Sequence, residues 1–371
     1  MAGIVGRIYD LRIKTKDRMR MRSGEHERFH PARAPFDHAA YDFARTAVVA
    51  IYPSEESLPF TINLLDAFRQ ANFLIIIVSN QRLNDATVRE LGDRYDHLIE
   101  KWPIGRDFGC YQAVIRCLER WGVYDSIKTL ALVNDSMFYP RTMDQTLRDL
   151  LILEGTWLAL FENYQFHHHA QSFFQIFREE VVRSQAFKEF WQTYRPFSSR
   201  THSINSGEVG LSAKLRAAGF FPSVLYRSSA IISRLEEALE TEGCERFSRM
   251  LMATLGRETV TKTLLSRLDQ TPTGTNNARL VLMPDLARAV SEIAERHNPT
   301  HRLALLLNRL FEAPLKRDLA YRETFTIGEI VSAATGFSAS ERLSMENDLR
   351  RRGLFVSLNR FQRMLFRTGR I

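Results

Sequence analysis

The chain is poor in cysteine: Cys110, Cys117 and Cys244 are its only three, and they lack metal-ligand spacing. They predict reduced thiols in a cytosolic protein. Cys110 and Cys117 lie seven apart in an expected helix, which predicts small packed side chains and not a redox pair. No apolar run approaches the ~20 residues that span a bilayer. The first residues, MAGIVGRIYDLRIKTKDRMRMR, contain neither a long apolar core nor a cleavage signal, which argues against export. There is no internal repeat. No GxGxxG follows the first apolar run; the turn there is YPSEESLP, with two acids where a dinucleotide pyrophosphate needs bare backbone N–H groups. An NAD-type domain is therefore disfavoured.

Acidic residues are missing altogether from residues 350–371, which hold seven arginines. Residues 1–35 carry nine Lys/Arg against four Asp/Glu. These ends hold +7 and +5 of the net +8, leaving −4 for residues 36–349. Basic ends suit a polyanion, either nucleic acid or an anionic membrane face, or are simply solvated. Nucleic acid is disfavoured, because no sheet face interleaves aromatic and basic residues for stacking on bases. The closing segment GLFVSLNRFQRMLFRTGRI sets Leu354, Leu358, Phe361, Leu365 and Phe366 near one helical face, ringed by Arg360, Arg363, Arg367 and Arg370. Such a helix suits an anionic membrane surface, or docks on its own domain.

What is present is 371 residues with 44% apolar and 25% charged content, the balance of a soluble globular protein of about two domains. Residues 1–45 read as a basic, loosely ordered arm. From residue 46, short apolar runs (AVVAIYP, LIIIVSN, HLIEKWP, KTLALVND, TWLALFENY) alternate with helical stretches. That alternation predicts βαβ units and a largely parallel sheet covered on both faces. Asn84 or Asp85 caps the helix that follows the second run. SFFQIFR and FPSVLYR read as further strands. Residues 230–371 read as helical, with TPTGTNN (271–277) as a connector. The predicted domains are thus the arm 1–45, an α/β domain 46–229 and a helical C-terminal region 230–371.

In open α/β sheets the ligand crevice lies beyond the carboxyl ends of the strands. Ser79-Asn80, Gly105-Arg106-Asp107 and Asn134-Asp135-Ser136 all fall there. Asp135 is suited to a divalent ion (Mg²⁺ or Mn²⁺) or a diphosphate, although such triplets also occur as plain Asx-turns. Gly105 and Gly109 permit close backbone approach, and Arg106 with the helix start makes an anion site. Asp107 accepts from sugar hydroxyls or merely caps the helix. In the run His167-His168-His169, adjacent residues point to opposite faces, so at most two reach one ion; a sugar-contacting edge of His169, Gln171 and Ser172 is the preferred reading. Glu208 is the general-base candidate. It sits in the expected first turn of a helix capped by Ser206 and closed by Gly219, where the dipole favours its ionised form.

Three segments in order, IGRDFGCYQAVIRCL (104–118), LALVNDSMFYP (130–140) and HAQSFFQIFREEVVRSQAFKEFWQTY with INSGEVGLSAKLRAAGF (169–220), resemble the rhamnan synthesis protein F family of bacterial glycosyltransferases. The resemblance covers about residues 46–227. It implies a GT-A-like fold, with a donor site at Asn134-Asp135-Ser136 in the place of a DxD motif and Glu208 as base. It further implies an inverting transfer of a sugar, with rhamnose the candidate, from a nucleotide-diphosphate sugar to a glycan or lipid-linked glycan. The enzyme would work at the cytoplasmic face of the membrane. Pro103 and Tyr139 stand where the family tends to have Asn and Gly, and the triplet offers one carboxylate where DxD offers two. These departures keep a non-catalytic binding or scaffold relative as the alternative.

Overall fold

The short apolar runs become buried strands. The computed structural model describes residues 2–165, 167–255, 266, 275–354 and 357–367, with the backbone alone described at residues 2–5, 244, 275–281 and 366–367. Strands β1 (Arg45–Ala50), β2 (Leu74–Ser79), β3 (His97–Glu100), β4 (Thr129–Asn134), β5 (Met137–Phe138), β6 (Trp157–Ala159), β7 (Glu162–Asn163), β8 (His169–Ala170), β9 (Phe174–Arg178), β10 (Pro222–Val224) and β11 (Leu315–Lys316) follow in chain order. Seven of them form one sheet in the order β10-β6-β9-β4-β1-β2-β3. All neighbours run parallel except β9, which is antiparallel to both β4 and β6. The register sets Ala50 beside both Val78 and Asn134, so three strand ends meet at one edge.

Side chains on successive strand residues leave by opposite faces. Ala47, Val49, Ile75 and Ile77 join one core with Leu64 and Phe68 of helix Leu58–Gln70. Val48, Ala50, Ile76 and Val78 join a second core with Tyr111 and Val114 of helix Arg106–Arg120 and Trp191. Both faces are covered, and this explains why the strands read as continuous apolar runs. Asn84 does cap helix Asp85–Leu91, its side chain accepting from Thr87 N.

The C-terminal region is built of helices Ser228–Leu255, Thr275–Arg296, Ala304–Phe311, Ile327–Ala333, Ala339–Arg352 and Arg360–Arg367. The expected connector 271–277 lies largely outside the described residues. This region is not a loose cover. Leu235, Leu239, Phe247, Leu286 and Val290 extend the first sheet core. Leu305, Leu315, Phe337 and Met345 bury Phe60 and Phe138. β11 pairs antiparallel with β5, immediately after the Asn134-Asp135-Ser136 loop.

Residues 1–40 are a correction. The expected loose arm is a helix, Ala2–Arg22, followed by a segment laid along the sheet edge. Gly6, Asp10 and Asp17 face inward. Asp17 accepts from Ser198 N at 2.6 Å, and Asp10 accepts from Ser199 Oγ. Arg33 donates to Glu100, Asp85 and the Leu83 carbonyl, and Phe36 stacks on His97 with 4.0 Å between rings. The helix is held by polar contacts from elsewhere in the fold, so it has no apolar stripe for a periodicity reading to find.

Candidate functional site

The Asn134-Asp135-Ser136 loop is an Asx-turn with long-range ties. Asn134 Oδ1 accepts from Ser136 N at 3.0 Å, and its Nδ2 donates to Asp107 Oδ2 at 2.9 Å. Asp107 is therefore not the helix cap; Gly105 holds that position without a side-chain bond. Gly105 and Arg106 are both left-handed, at φ 89° and 51°. A Cβ on Gly105 would collide with Pro196, so the close approach that glycine permits is to the protein itself and not to a ligand. Arg106 is exposed. The strained backbone of a non-glycine residue at φ > 0 belongs to an over-determined corner.

Asp135 faces inward. Its Oδ2 accepts from Tyr52 N at 2.8 Å and lies 3.8 Å from Arg317 Nη1. Arg317 is itself buried, donating from Nε and Nη2 to Asp348 at 3.0 and 2.8 Å and from Nη1 to the Asp135 carbonyl at 2.9 Å. Burial pushes the Asp135 carboxyl above its ordinary value, against the pull of Arg317 and the Tyr52 amide. A metal needs open carboxylate lone pairs; Oδ2 is engaged by the Tyr52 amide, and only Oδ1 is left without a hydrogen bond among the described residues. Among the described residues no three His, Cys, Asp or Glu side chains gather as ligands for an ion. Asp135 thus offers one open oxygen, and no second described acid joins it as part of a ligand cluster for the Mg²⁺ or Mn²⁺ expected there.

Glu208 is held differently, and its setting corrects the sequence reading. It is not in a first turn. Ser199, not Ser206, caps the helical run by accepting from His202 N, and residues Ser203–Glu208 form a π-helical segment that leads into helix Val209–Ala217. Such wide turns recur at functional sites. Gly207 allows this one to press on Phe108: a Cβ there would lie 2.8 Å from the ring. Glu208 Oε2 accepts from Ser172 N at 2.7 Å and Ser172 Oγ at 2.6 Å. Oε1 lies 3.1 Å from His169 Nε2. Burial alone would raise the carboxyl, but His169 and Ser172 hold it at about 2. His169 is raised in turn: Glu208 and the His167 carbonyl, which accepts from Nδ1 at 2.6 Å, outweigh burial. Side-chain partners, not the helix dipole, keep Glu208 ionised.

The other sequence candidates separate. His168 pairs with Glu162 at 2.7 Å, so the three histidines do not converge. Gln171 is buried, donating to Asn298 Oδ1 at 2.9 Å, and ties a helix start instead of facing a cleft. Ser172 is a positioning residue for Glu208. Ser79 is buried and accepts from Gln81 N at 3.3 Å; Asn80 is half-buried. Ser136 Oγ is buried without a hydrogen-bond partner among the described residues.

Residues that sequence reading missed complete the cluster. Lys316 is half-buried, its ammonium 4.3 Å from the centre of the Phe173 ring. Burial lowers its pKa, opposed by Asp318, Glu208 and Asp107 and reinforced by Arg200. Asp318 meets His301 Nε2 and Arg322 Nε, each at 3.0 Å. Although burial would raise it, His301, Lys316 and Arg322 hold Asp318 well below the usual carboxylate range. The one signal available was the charged triplet in APLKRDLAY (313–321). Elsewhere, a cavity of about 410 Å³ between helix Arg106–Arg120 and residues 26–29 lies on the far side of that helix and contains none of these groups.

Comparison with known proteins finds similarity over about half of the chain. A curated relative, the uncharacterised protein y4gN of Sinorhizobium fredii (strain NBRC 101917 / NGR234), is 26% identical over 194 residues, which cover 51% of this chain and 50% of the relative. The chain thus spans about half the length of the curated relative it matches. A crystal structure from Desulfovibrio desulfuricans G20, assigned as a nucleotide-diphospho-sugar transferase, aligns with a TM-score of 0.32 at 12% identity, over 48% of this chain and 79% of that one. Residues 75–239, which carry β2 to β10 with Asp107, Asn134 and Glu208, match the model of the rhamnan synthesis protein F family, the family that the motifs resemble.

Proposed function

We propose that this chain is an inverting glycosyltransferase that uses a nucleotide-diphosphate sugar, with rhamnose the candidate sugar. The observation that carries the reading is the pair of anchored acids at one sheet edge, Glu208 held ionised by Ser172 and His169, and Asp107 held by Asn134. In the reaction the acceptor hydroxyl oxygen bonds to the anomeric carbon. The bond from that carbon to the diphosphate oxygen breaks, its electron pair leaving with the diphosphate. The hydroxyl proton passes to Glu208. In this reading Asp107 serves as an acceptor for sugar or ribose hydroxyls.

The acceptor is a glycan or lipid-linked glycan at the inner membrane face. Supporting this, both acids of helix Ala2–Arg22 point inward, so its outer side carries Ile8, Leu11 and Met19, each about 60% exposed, among Arg7, Arg12, Lys16, Arg18 and Arg22. Helix Arg360–Arg367 packs beside it, with Phe361 exposed, Leu365 buried, and Arg360 and Arg363 outward. Phe355, Val356 and Arg370 lie outside the described residues. A cationic face seeded with apolar groups complements anionic lipid. No described helix is long and apolar enough to cross a membrane.

The test is transfer and donor hydrolysis across a panel of nucleotide sugars, with retention on vesicles containing phosphatidylglycerol. Turnover of one donor, with salt-sensitive retention on anionic but not neutral vesicles, is expected. A folded protein silent across the panel favours the scaffold alternative.

A further inference from the structure

We infer that Lys316, contributed by the C-terminal region, receives the diphosphate of the donor, in the position where Asp135 was expected to hold a metal. The inference rests on the glycosyltransferase reading above and deepens it.

The first support is placement. Lys316 is paired with Met137 across the β5–β11 ribbon, and Arg317 N donates to Ser136 O at 3.3 Å. The backbone of Lys316 is therefore fixed beside the loop that ends β4. Its side chain lies over Phe173, next to the residue that holds Glu208. The Glu208 carboxylate and the Lys316 ammonium thus rest on adjacent residues, Ser172 and Phe173, close enough to interact.

The second support is an uneven pairing of charge. Each acid near Lys316 already has a partner: Asp318 has His301 and Arg322, Glu208 has His169 and Ser172, and Asp107 has Asn134. The Lys316 ammonium has three N–H donors and no hydrogen-bond acceptor among the described residues. It rests only on an aromatic face, in a half-buried position that disfavours a lone charge. Arg106, exposed at the start of helix Arg106–Arg120, also lacks an ion-pair partner among the described residues. A group with two or more negative charges and several acceptor oxygens satisfies the Lys316 ammonium. A diphosphate is such a group, and its negative charge grows as the sugar–oxygen bond breaks.

The third support is the state of Asp135. Its Oδ2 braces Tyr52 N beside Arg317, which leaves one carboxylate oxygen for an ion, and Lys316 supplies positive charge that does not depend on it.

The experiment is calorimetric titration of the full chain with uridine, thymidine and guanosine diphosphates and with inorganic pyrophosphate, with and without EDTA. The proteins compared are wild type, Lys316→Ala, Lys316→Gln and Lys316→Arg, each checked by its melting temperature. Expected is wild-type binding that survives EDTA, a loss of about 10- to 100-fold in Lys316→Ala and Lys316→Gln, and recovery to within a few-fold in Lys316→Arg. Binding in Lys316→Gln equal to wild type overturns the role of Lys316 alone. Binding that vanishes with EDTA and returns with Mg²⁺ also overturns it, while leaving the glycosyltransferase reading in place. A wild type that binds none of the four compounds sinks both.

Discussion

Asp135 and Glu208 are carboxylates at the same edge of the same sheet, yet their surroundings treat them in opposite ways. Asp135 is buried behind an amide and a guanidinium, and burial raises its pKa. Glu208 retains a side chain 16% exposed, accepts two hydrogen bonds from Ser172 and has the His169 ring 3.1 Å away, and its pKa falls to about 2. The difference lies in which part of the chain supplies the partners. Asp135 is bound to the C-terminal helices through Arg317 and Asp348, so it acts as masonry between two regions. Glu208 is bound by β8 and the residues after it, within the family-matched part of the chain. An acid at a strand end is a site candidate only once its donors are known.

That contrast breaks most sharply under Glu208→Gln. Transfer is expected to drop by about 10²- to 10⁴-fold in kcat, with the cooperative melt retained; near-normal turnover removes Glu208 from the reaction. Next in size is Arg317→Ala, which leaves the buried Asp135 without its cation, although Asp348 keeps Arg351 and Arg352. It should cost about 3–5 kcal/mol of stability by urea denaturation. A cost under ~1 kcal/mol would mean that the helix Ala339–Arg352 is not fastened here. Asp135→Asn should cost about 1–3 kcal/mol through the weakened Tyr52 and Arg317 contacts. Its effect on turnover should follow the lost stability, whereas an unchanged melt with abolished transfer would restore Asp135 to the donor site. The smallest effect belongs to Ser172→Ala, which removes one of two donors to Glu208 Oε2 and should raise the Glu208 pKa while costing about 1 kcal/mol.

The two titrating partners of the Glu208 pair give a pH signature. His169 is raised above 6.5, so its contribution to stability is complete below 6.5 and is lost as pH rises through the folded value. Glu208 is depressed from 4.5, so its contribution is complete above 4.5 and is lost as pH falls toward 2. In Glu208→Gln, burial meets less opposition at His169, and an NMR titration should show its pKa below the wild-type value. An unchanged value would mean that the 3.1 Å approach does not persist in solution.

The parallel strands were legible because burial on both faces demands continuous apolar runs such as Leu74–Val78. Asn84 was legible because capping is local chemistry. Glu208 could be singled out by residue type, but its environment could not, since Ser172 and His169 lie more than thirty residues away. The helix Ala2–Arg22 escaped because its inward residues are Gly6, Asp10 and Asp17. Lys316 escaped because a two-residue strand has no period to detect, and its meaning comes from Met137 across the ribbon. Local and periodic information survives a reading of the sequence. Pairing between distant polar residues does not.

The β5–β11 ribbon has a temporal consequence. During synthesis the sheet edge with Asn134 and Glu208 emerges first, and the strand carrying Lys316 follows about a hundred residues later. Until then Ser136 O lacks its Arg317 amide, Phe138 lacks the cover of Leu315, and Asp135 lacks its guanidinium. A nascent or prematurely terminated chain would lack these ties at the sheet edge. The ribbon thus acts as a check on completeness, tying competence in the first half of the chain to delivery of the second.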